Sequence, residues 1–131
     1  MIFGIGADLV EQKRIRASLE RYGDRFLGRI LTELEYRLFM AKPRSEEQRT
    51  RFLAQRFAAK EAFSKALGTG IKQGVAWRDI GVHNEPSGKP LLHLSAKLEQ
   101  RVRELGIAGM HVTLTDEAGL TQAFVVLEKE A

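Results

Sequence analysis

Apolar residues recur at every second position near the two ends of this chain and at helical spacing through most of its middle. In the opening stretch Phe3, Ile5, Ala7 and Leu9 fall on one side of an extended strand, and Ile2, Gly4, Gly6 and Asp8 on the other. A basic helix is expected over roughly 11–22, then a helical piece over roughly 24–40 in which Phe26, Leu27, Ile30 and Leu31 recur. Lys42-Pro43-Arg44-Ser45 breaks the chain, and Ser45 is placed to cap a long helix running from about 46 to 67. Gly68 tolerates the left-handed conformation that ends such a helix, and Gly68-Thr69-Gly70-Ile71 reads as a flexible loop. Strands near 80–84 and 89–94 flank Asn84-Glu85-Pro86-Ser87-Gly88, a hairpin by composition. Ser95 caps another helix, with Leu98, Val102 and Leu105 at helical spacing and Gly106 at its end. Finally Met110, Val112 and Leu114 alternate with His111, Thr113 and Thr115, Asp116-Glu117-Ala118-Gly119 reads as a turn, and Ala123 to Leu127 returns as a strand. Helices and strands mix without regular βαβ alternation, so the class is α+β: one compact domain over 1–131 built of helices and short antiparallel strands.

The long helix is unusual. Leu53, Phe57, Ala58 and Ala62 flank Glu61 on one side, while Phe52, Ala59, Phe63 and Ala66 cover the other. A helix apolar nearly all round is a buried one. Glu61 and Lys65, one turn apart, are therefore expected in or beside the core, where a carboxylate needs a partner because desolvating its charge is costly. Read alone, the two are a common helix-stabilising pair worth about 0.2–0.5 kcal/mol. The opening strand changes that reading. Two glycines on the face that bears Asp8 clear space for a backbone, a ligand or an ion to come close. A dinucleotide fingerprint is excluded, because Leu9 stands where its third glycine belongs.

Composition removes whole classes of chemistry. The chain has no cysteine, which excludes disulfides, thiolate zinc sites and cysteine nucleophiles. No apolar run approaches the ~20 residues that span a bilayer, and residues 1–10 lack the charged leader and cleavage site of a signal peptide, so a cytoplasmic, membrane-free protein is expected. The net charge of +4, from 21 basic and 17 acidic residues, suggests acidic partners. Lys13, Arg14, Arg16, Arg21, Arg25 and Arg29 crowd the first third, with Arg14 and Arg21 on one helical face, and Arg49, Arg51 and Arg56 follow.

Four segments together resemble a known family, the holo-acyl-carrier-protein synthases, the small 4′-phosphopantetheinyl transferases. Gly4-Ile5-Gly6-Ala7-Asp8-Leu9-Val10-Glu11 resembles the family's opening motif, and the run from Phe57 to Gly70 its signature helix and following loop. Gly88-Lys89-Pro90 matches its hairpin turn and His111-Val112-Thr113-Leu114-Thr115 its closing strand, in the same order and spacing over essentially the whole chain. One departure stands out: members commonly carry a His directly after the closing strip, where this chain has Asp116.

The resemblance implies the 4′-phosphopantetheinyl transferase fold, with coenzyme A and an acyl carrier protein as partners. The arm of coenzyme A passes to a serine of the carrier in fatty acid biosynthesis, and adenosine 3′,5′-bisphosphate is released. It also implies a homotrimer with active sites between subunits, and nucleotide-binding roles for Arg56, Ser64, Gly68, Lys89, Pro90, His111 and Thr113. A hard cation such as Mg²⁺ binds through one or two carboxylates plus substrate phosphates. Asp8 and Glu61 are the expected carboxylates, with the gap beside Gly4 and Gly6 left for the pyrophosphate. Lys65 is placed to meet charge developing on a phosphate oxygen. Glu61, a water held by the metal, and His111 are the candidates for the base that takes the serine proton. An acidic carrier suits docking on Arg14 and Arg21, since complementary charge steers approach.

The rival class is a small basic nucleic-acid-binding module, supported by the arginine-rich first third alone. Binding single strands calls for aromatics spaced to stack bases, yet most phenylalanines fall at apolar helix positions. It also leaves Asp8 and Glu61 without a purpose. No nucleic-acid partner is therefore expected.

Overall fold

The computed structural model describes residues 1–130. Among the described residues five α-helices and five strands alternate irregularly: β1 (Ile2–Glu11), α1 (Gln12–Tyr22), α2 (Asp24–Ile30), α3 (Glu33–Met40), α4 (Glu46–Leu67), β2 (Ile80–Asn84), β3 (Pro90–Leu94), α5 (Ala96–Glu104), β4 (Ile107–Glu117) and β5 (Leu120–Lys129). The strands form an antiparallel sheet in the order β1-β5-β4 and a separate β2-β3 hairpin, so the class is α+β as expected.

Alternation along the three-stranded sheet decides which side is covered. Gly4, Gly6, Asp8 and Val10 of β1 lie level with Leu127, Val125, Ala123 and Thr121 of β5, and these with Met110, Val112, Leu114 and Asp116 of β4. Helix α4 covers this face. The helix is buried nearly all round, as its composition predicts, and Leu53, Ala54, Ala58, Ala59, Ala62 and Phe63 are fully enclosed.

The two glycines of β1 explain how closely α4 sits. A Cβ placed on Gly4 would lie 2.1 Å from the Ala66 carbonyl oxygen, and one on Gly6 2.1 Å from that of Ala62. The space cleared beside Asp8 is therefore filled by the α4 backbone, and the expected pyrophosphate gap at Gly4 and Gly6 does not exist. Backbone packs on backbone there because neither side carries more than a methyl group.

Helices α2 and α3 and the β2-β3 hairpin pack on the far side of α4. The helical piece expected over 24–40 is two helices. Thr32 interrupts it by capping α3: its hydroxyl accepts from the Glu35 N–H at 3.1 Å, and the Glu35 carboxylate accepts from the Thr32 N–H at 2.9 Å. Ser45 caps α4 in the same way with Gln48, and Gly68 ends α4 at φ 94°, both as the sequence predicts. The loop after α4 begins tied to the end of the helix. The N–H groups of Gly68, Thr69 and Gly70 all converge on the Ser64 carbonyl at 3.1–3.2 Å, and Thr69 is buried. Among the described residues no helix is long and apolar enough to cross a membrane.

Candidate active site

Asp8 and Glu61 come together where β1 crosses α4. The glycine contact sets this meeting, since Gly6 presses on Ala62, the residue next to Glu61, and Asp8 follows two residues along the same strand face. Lys65, one turn beyond Glu61, donates to the Asp8 carboxylate at 3.0 Å and to the Ala7 carbonyl at 3.2 Å. Glu61 is half-buried and Lys65 exposed, so the pair lies at the edge of the core and not inside it. Burial pushes the Glu61 carboxyl above its ordinary value and the Asp8 charge pushes it further, while Lys65 and, least, the Trp77 indole oppose the rise. Two carboxylates thus meet beside one lysine, which bonds Asp8 and acts on Glu61 only through its charge. Such a donor set suits a hard divalent cation, which relieves the repulsion and keeps open positions for phosphate oxygens and water.

The fully enclosed charge on α4 is instead Lys60, which the sequence did not single out. Its ammonium donates to the Glu35 carboxylate at 2.5 Å, to the Ile30 carbonyl at 2.6 Å and to the Trp77 carbonyl at 3.3 Å, with Lys60 and Glu35 both fully enclosed. Burial draws Lys60 down to about 8, against the opposing pull of Glu35. The other Glu35 oxygen accepts from the Val82 N–H at 2.8 Å. The signal in the sequence was the Thr32-x-x-Glu35 capping box.

Beside Glu61 lies a hollow of about 420 Å³ with an apolar floor of Phe26, Phe57 and Trp77 and a rim of Tyr22, Arg25 and Arg29. Phe57 stacks on Trp77 at 6.2 Å, and the Arg29 guanidinium lies 5.9 Å above the same indole. Arg14 and Arg21 are exposed on α1, and Arg21 lies over the Tyr22 ring at 5.3 Å, at the rim of this hollow.

A match to the 4′-phosphopantetheinyl transferase superfamily covers residues 4–115, which take in Asp8, Glu61, Lys65 and the strip from His111 to Thr115. The chain belongs to this superfamily. Likeness extends along the whole chain: a holo-[acyl-carrier-protein] synthase of Brucella ovis is 49% identical over 98% of this chain and 96% of its own length. The crystal structure of a holo-[acyl-carrier-protein] synthase from Neisseria meningitidis superposes with a TM-score of 0.91 at 42% identity, covering 98% of this chain and 100% of that one. A Bacillus anthracis synthase solved in complex with CoA (3′,5′-ADP) superposes with a TM-score of 0.79 at 40% identity, covering 99% of both chains. The chain is thus a transferase of the holo-[acyl-carrier-protein] synthase kind.

Within this transferase fold, one chain brings together only part of the expected site. His111 and Thr113 stand in register with Val126 and Phe124 of β5 and with Ile5 and Ala7 of β1, on the face of the sheet opposite Asp8. His111 is exposed and paired there with Glu128 at 2.5 Å. His111 therefore cannot take a proton at the Asp8–Glu61 pair of its own chain. Arg56 lies toward α3, its guanidinium 3.6 Å above the Phe52 ring and its Nε buried without a partner. Burial pulls Arg56 down to about 10, Glu35 opposes this, and the nearby Arg44 charge adds to it. The Ser64 hydroxyl is buried and donates to the Glu61 carbonyl at 2.7 Å, so it is committed to its own helix. Gly68 is exposed at the end of α4, and Lys89 closes the hairpin turn just before Pro90, which begins β3. Asp116, the departure from the family pattern, lies within β4 and not in the expected turn; it accepts from Thr121 at 2.6 Å and from Gln55 at 2.5 Å, which ties the end of β4 to α4.

Proposed function

We propose that this transferase moves the 4′-phosphopantetheine arm of coenzyme A onto a serine of an apo acyl carrier protein, with Mg²⁺, for fatty acid biosynthesis in the cytoplasm. The observation that carries this reading is the Asp8–Glu61 carboxylate pair with Lys65 beside it. A negative substrate would be repelled from that pair unless a cation intervened. Asp8 and Glu61 would hold Mg²⁺, which when bound would supply charge neutralisation at the pyrophosphate.

The chain's own residues do the rest. The serine oxygen forms a bond to the phosphorus that bears the pantetheine. The bond from that phosphorus to the bridging oxygen breaks, and adenosine 3′,5′-bisphosphate leaves with the electron pair. Lys65 meets the charge that grows on the phosphate oxygens. The serine proton passes to a water held beside Glu61. The carrier docks its acidic surface on Arg14 and Arg21 and on the arginine-rimmed hollow beside Trp77.

The same proposal builds each site from two copies in a homotrimer. Two facts support it: Asp8 and His111 lie on opposite faces of one sheet, and the face bearing His111 leaves Ile5, Leu9 and Phe124 uncovered at 58%, 61% and 41% exposure. Asp8, Glu61 and Lys65 come from one copy. Arg56, Lys89, Pro90, His111 and Thr113 of the next hold the nucleotide.

Incubation with coenzyme A, Mg²⁺ and an apo carrier protein tests the reaction. A mass gain on the carrier equal to the phosphopantetheine arm supports it, and no gain with several apo carriers overturns it. Mixing an Asp8→Asn protein with an Arg56→Ala protein tests the shared site. Recovered activity supports it, and full activity of a monomer in sedimentation overturns it.

A further inference from the structure

Trp77 presents an anomaly. Its indole Nε1 is buried and has no hydrogen-bond partner, whereas buried donors are as a rule satisfied. Everything else about this side chain is fixed. Its ring stacks on Phe57 at 6.2 Å with 28° between planes, and the Arg29 guanidinium lies over it. Its carbonyl accepts from the enclosed Lys60 ammonium. Phe57 and Glu61 stand one turn apart on α4, so a ring packed on Phe57 lies beside Glu61. The indole N–H is close enough to the Glu61 carboxylate to favour its charged form, yet does not reach hydrogen-bonding geometry.

We infer that Trp77 is a positioning residue for the metal ligand Glu61: its indole N–H takes one carboxylate oxygen when the other binds the cation. The inference rests on the Mg²⁺ reading above. Carboxylates that bind metals are commonly held by such an outer partner, which fixes their orientation and raises affinity. A rotation of Glu61 toward Trp77 would close the bond and give the orphaned donor its acceptor. The Lys60–Glu35 pair acts at one remove, because it anchors the backbone of the residue that carries the indole.

The chain supplies its own probe, since Trp77 is its single tryptophan. With saturating coenzyme A and no carrier protein, Mg²⁺ titrated into the intact wild type should give a saturable change in tryptophan emission. Glu61→Gln should abolish that change. This measurement needs no alteration at Trp77. In parallel, calorimetry with Mn²⁺ should show Trp77→Phe, which keeps the stacked ring and removes only the N–H, binding about 10–100-fold more weakly. Equal Mn²⁺ affinity in Trp77→Phe and wild type overturns the inference, and so does saturable Mg²⁺ binding that leaves emission unchanged. If the wild type binds no cation at all, the Mg²⁺ reading falls and takes the inference with it. Those outcomes separate the two.

Discussion

Lys60 and Glu61 are neighbours on α4, yet one is sealed into a finished ion pair and the other is left short of partners. Lys60 has three acceptors, and Glu35 opposite it has three donors, so every polar atom of that pair is answered. Glu61 feels Lys65 only through its charge, since that ammonium bonds Asp8, and has an indole N–H near it that does not bond. The first arrangement joins α2, α3, α4, β2 and the turn at Trp77 into one body. The second holds two negative charges at the rim of that body, where they are useful only to something positive from outside. Satisfaction, more than burial alone, separates a structural charge from a chemical one.

Breaking the unfinished pair should have the larger effect on catalysis and almost none on folding. Asp8→Asn or Glu61→Gln should cut transfer by about 10²–10³-fold, because a ligand charge is lost where phosphate charge gathers. Circular dichroism should match the wild type, and wild-type activity should vanish with EDTA and return with Mg²⁺ or Mn²⁺. Transfer that persists after exhaustive chelation would mean the carboxylates serve another purpose.

The finished pair should respond the other way. Lys60→Met leaves Glu35 charged, enclosed and unpaired, which should cost about 3–5 kcal/mol of stability in urea unfolding. Adding Glu35→Leu should recover part of this, since no lone charge remains. Recovery stays incomplete because the Val82 and Thr32 N–H groups lose their acceptor. A Lys60→Met loss below about 1 kcal/mol would show that the pair is not a structural joint.

How far each half could be read from the chain follows from the same contrast. Periodicity and caps gave the strands, the long helix with its Ser45 and Gly68 ends, and the α+β class, because these are local decisions. The Gly4-x-Gly6-x-Asp8 strand and Glu61-x-x-x-Lys65 helix could be recognised as a meeting point since each breaks an otherwise apolar face. What the glycines face could not be read: a ligand and a helix backbone need the same clearance, and only the fold shows that Ala62 and Ala66 fill it. Lys60 passed unnoticed because its partner lies 25 residues away and a lysine among alanines looks like a helix former. His111 and Thr113 lie on a strand face whose direction follows from register, which pattern alone does not fix relative to Asp8.

The glycine contact sharpens the comparison from the packing side. Gly6→Ala sets a methyl group against the Ala62 carbonyl, a backbone atom that cannot swing aside. Lifting α4 off β1 should cost about 1–3 kcal/mol. It should also move Asp8 away from Glu61, so transfer should fall more than the remaining folded fraction explains. Transfer that simply tracks the folded fraction would show that the spacing of the carboxylates tolerates the shift.

The smallest effect is in thermal stability and depends on pH. Glu61 in the folded chain holds its proton more tightly than the ordinary 4.5 of the unfolded chain, chiefly because of burial and then because of Asp8. A group raised in this way favours the folded state at low pH. That contribution is lost as pH rises from 4.5 through the raised value, and above this window the charged Glu61 strains the fold. Glu61→Gln removes the strain while keeping the shape. Without divalent cations the variant should therefore melt up to a few degrees above wild type at neutral pH, and the gap should close as pH falls below about 4. Mg²⁺ with coenzyme A should reverse the order at neutral pH, because only the wild type gains a ligand bound to its native state. A gap that persists unchanged at low pH would trace the stabilisation to packing around the new amide and not to the Glu61 charge.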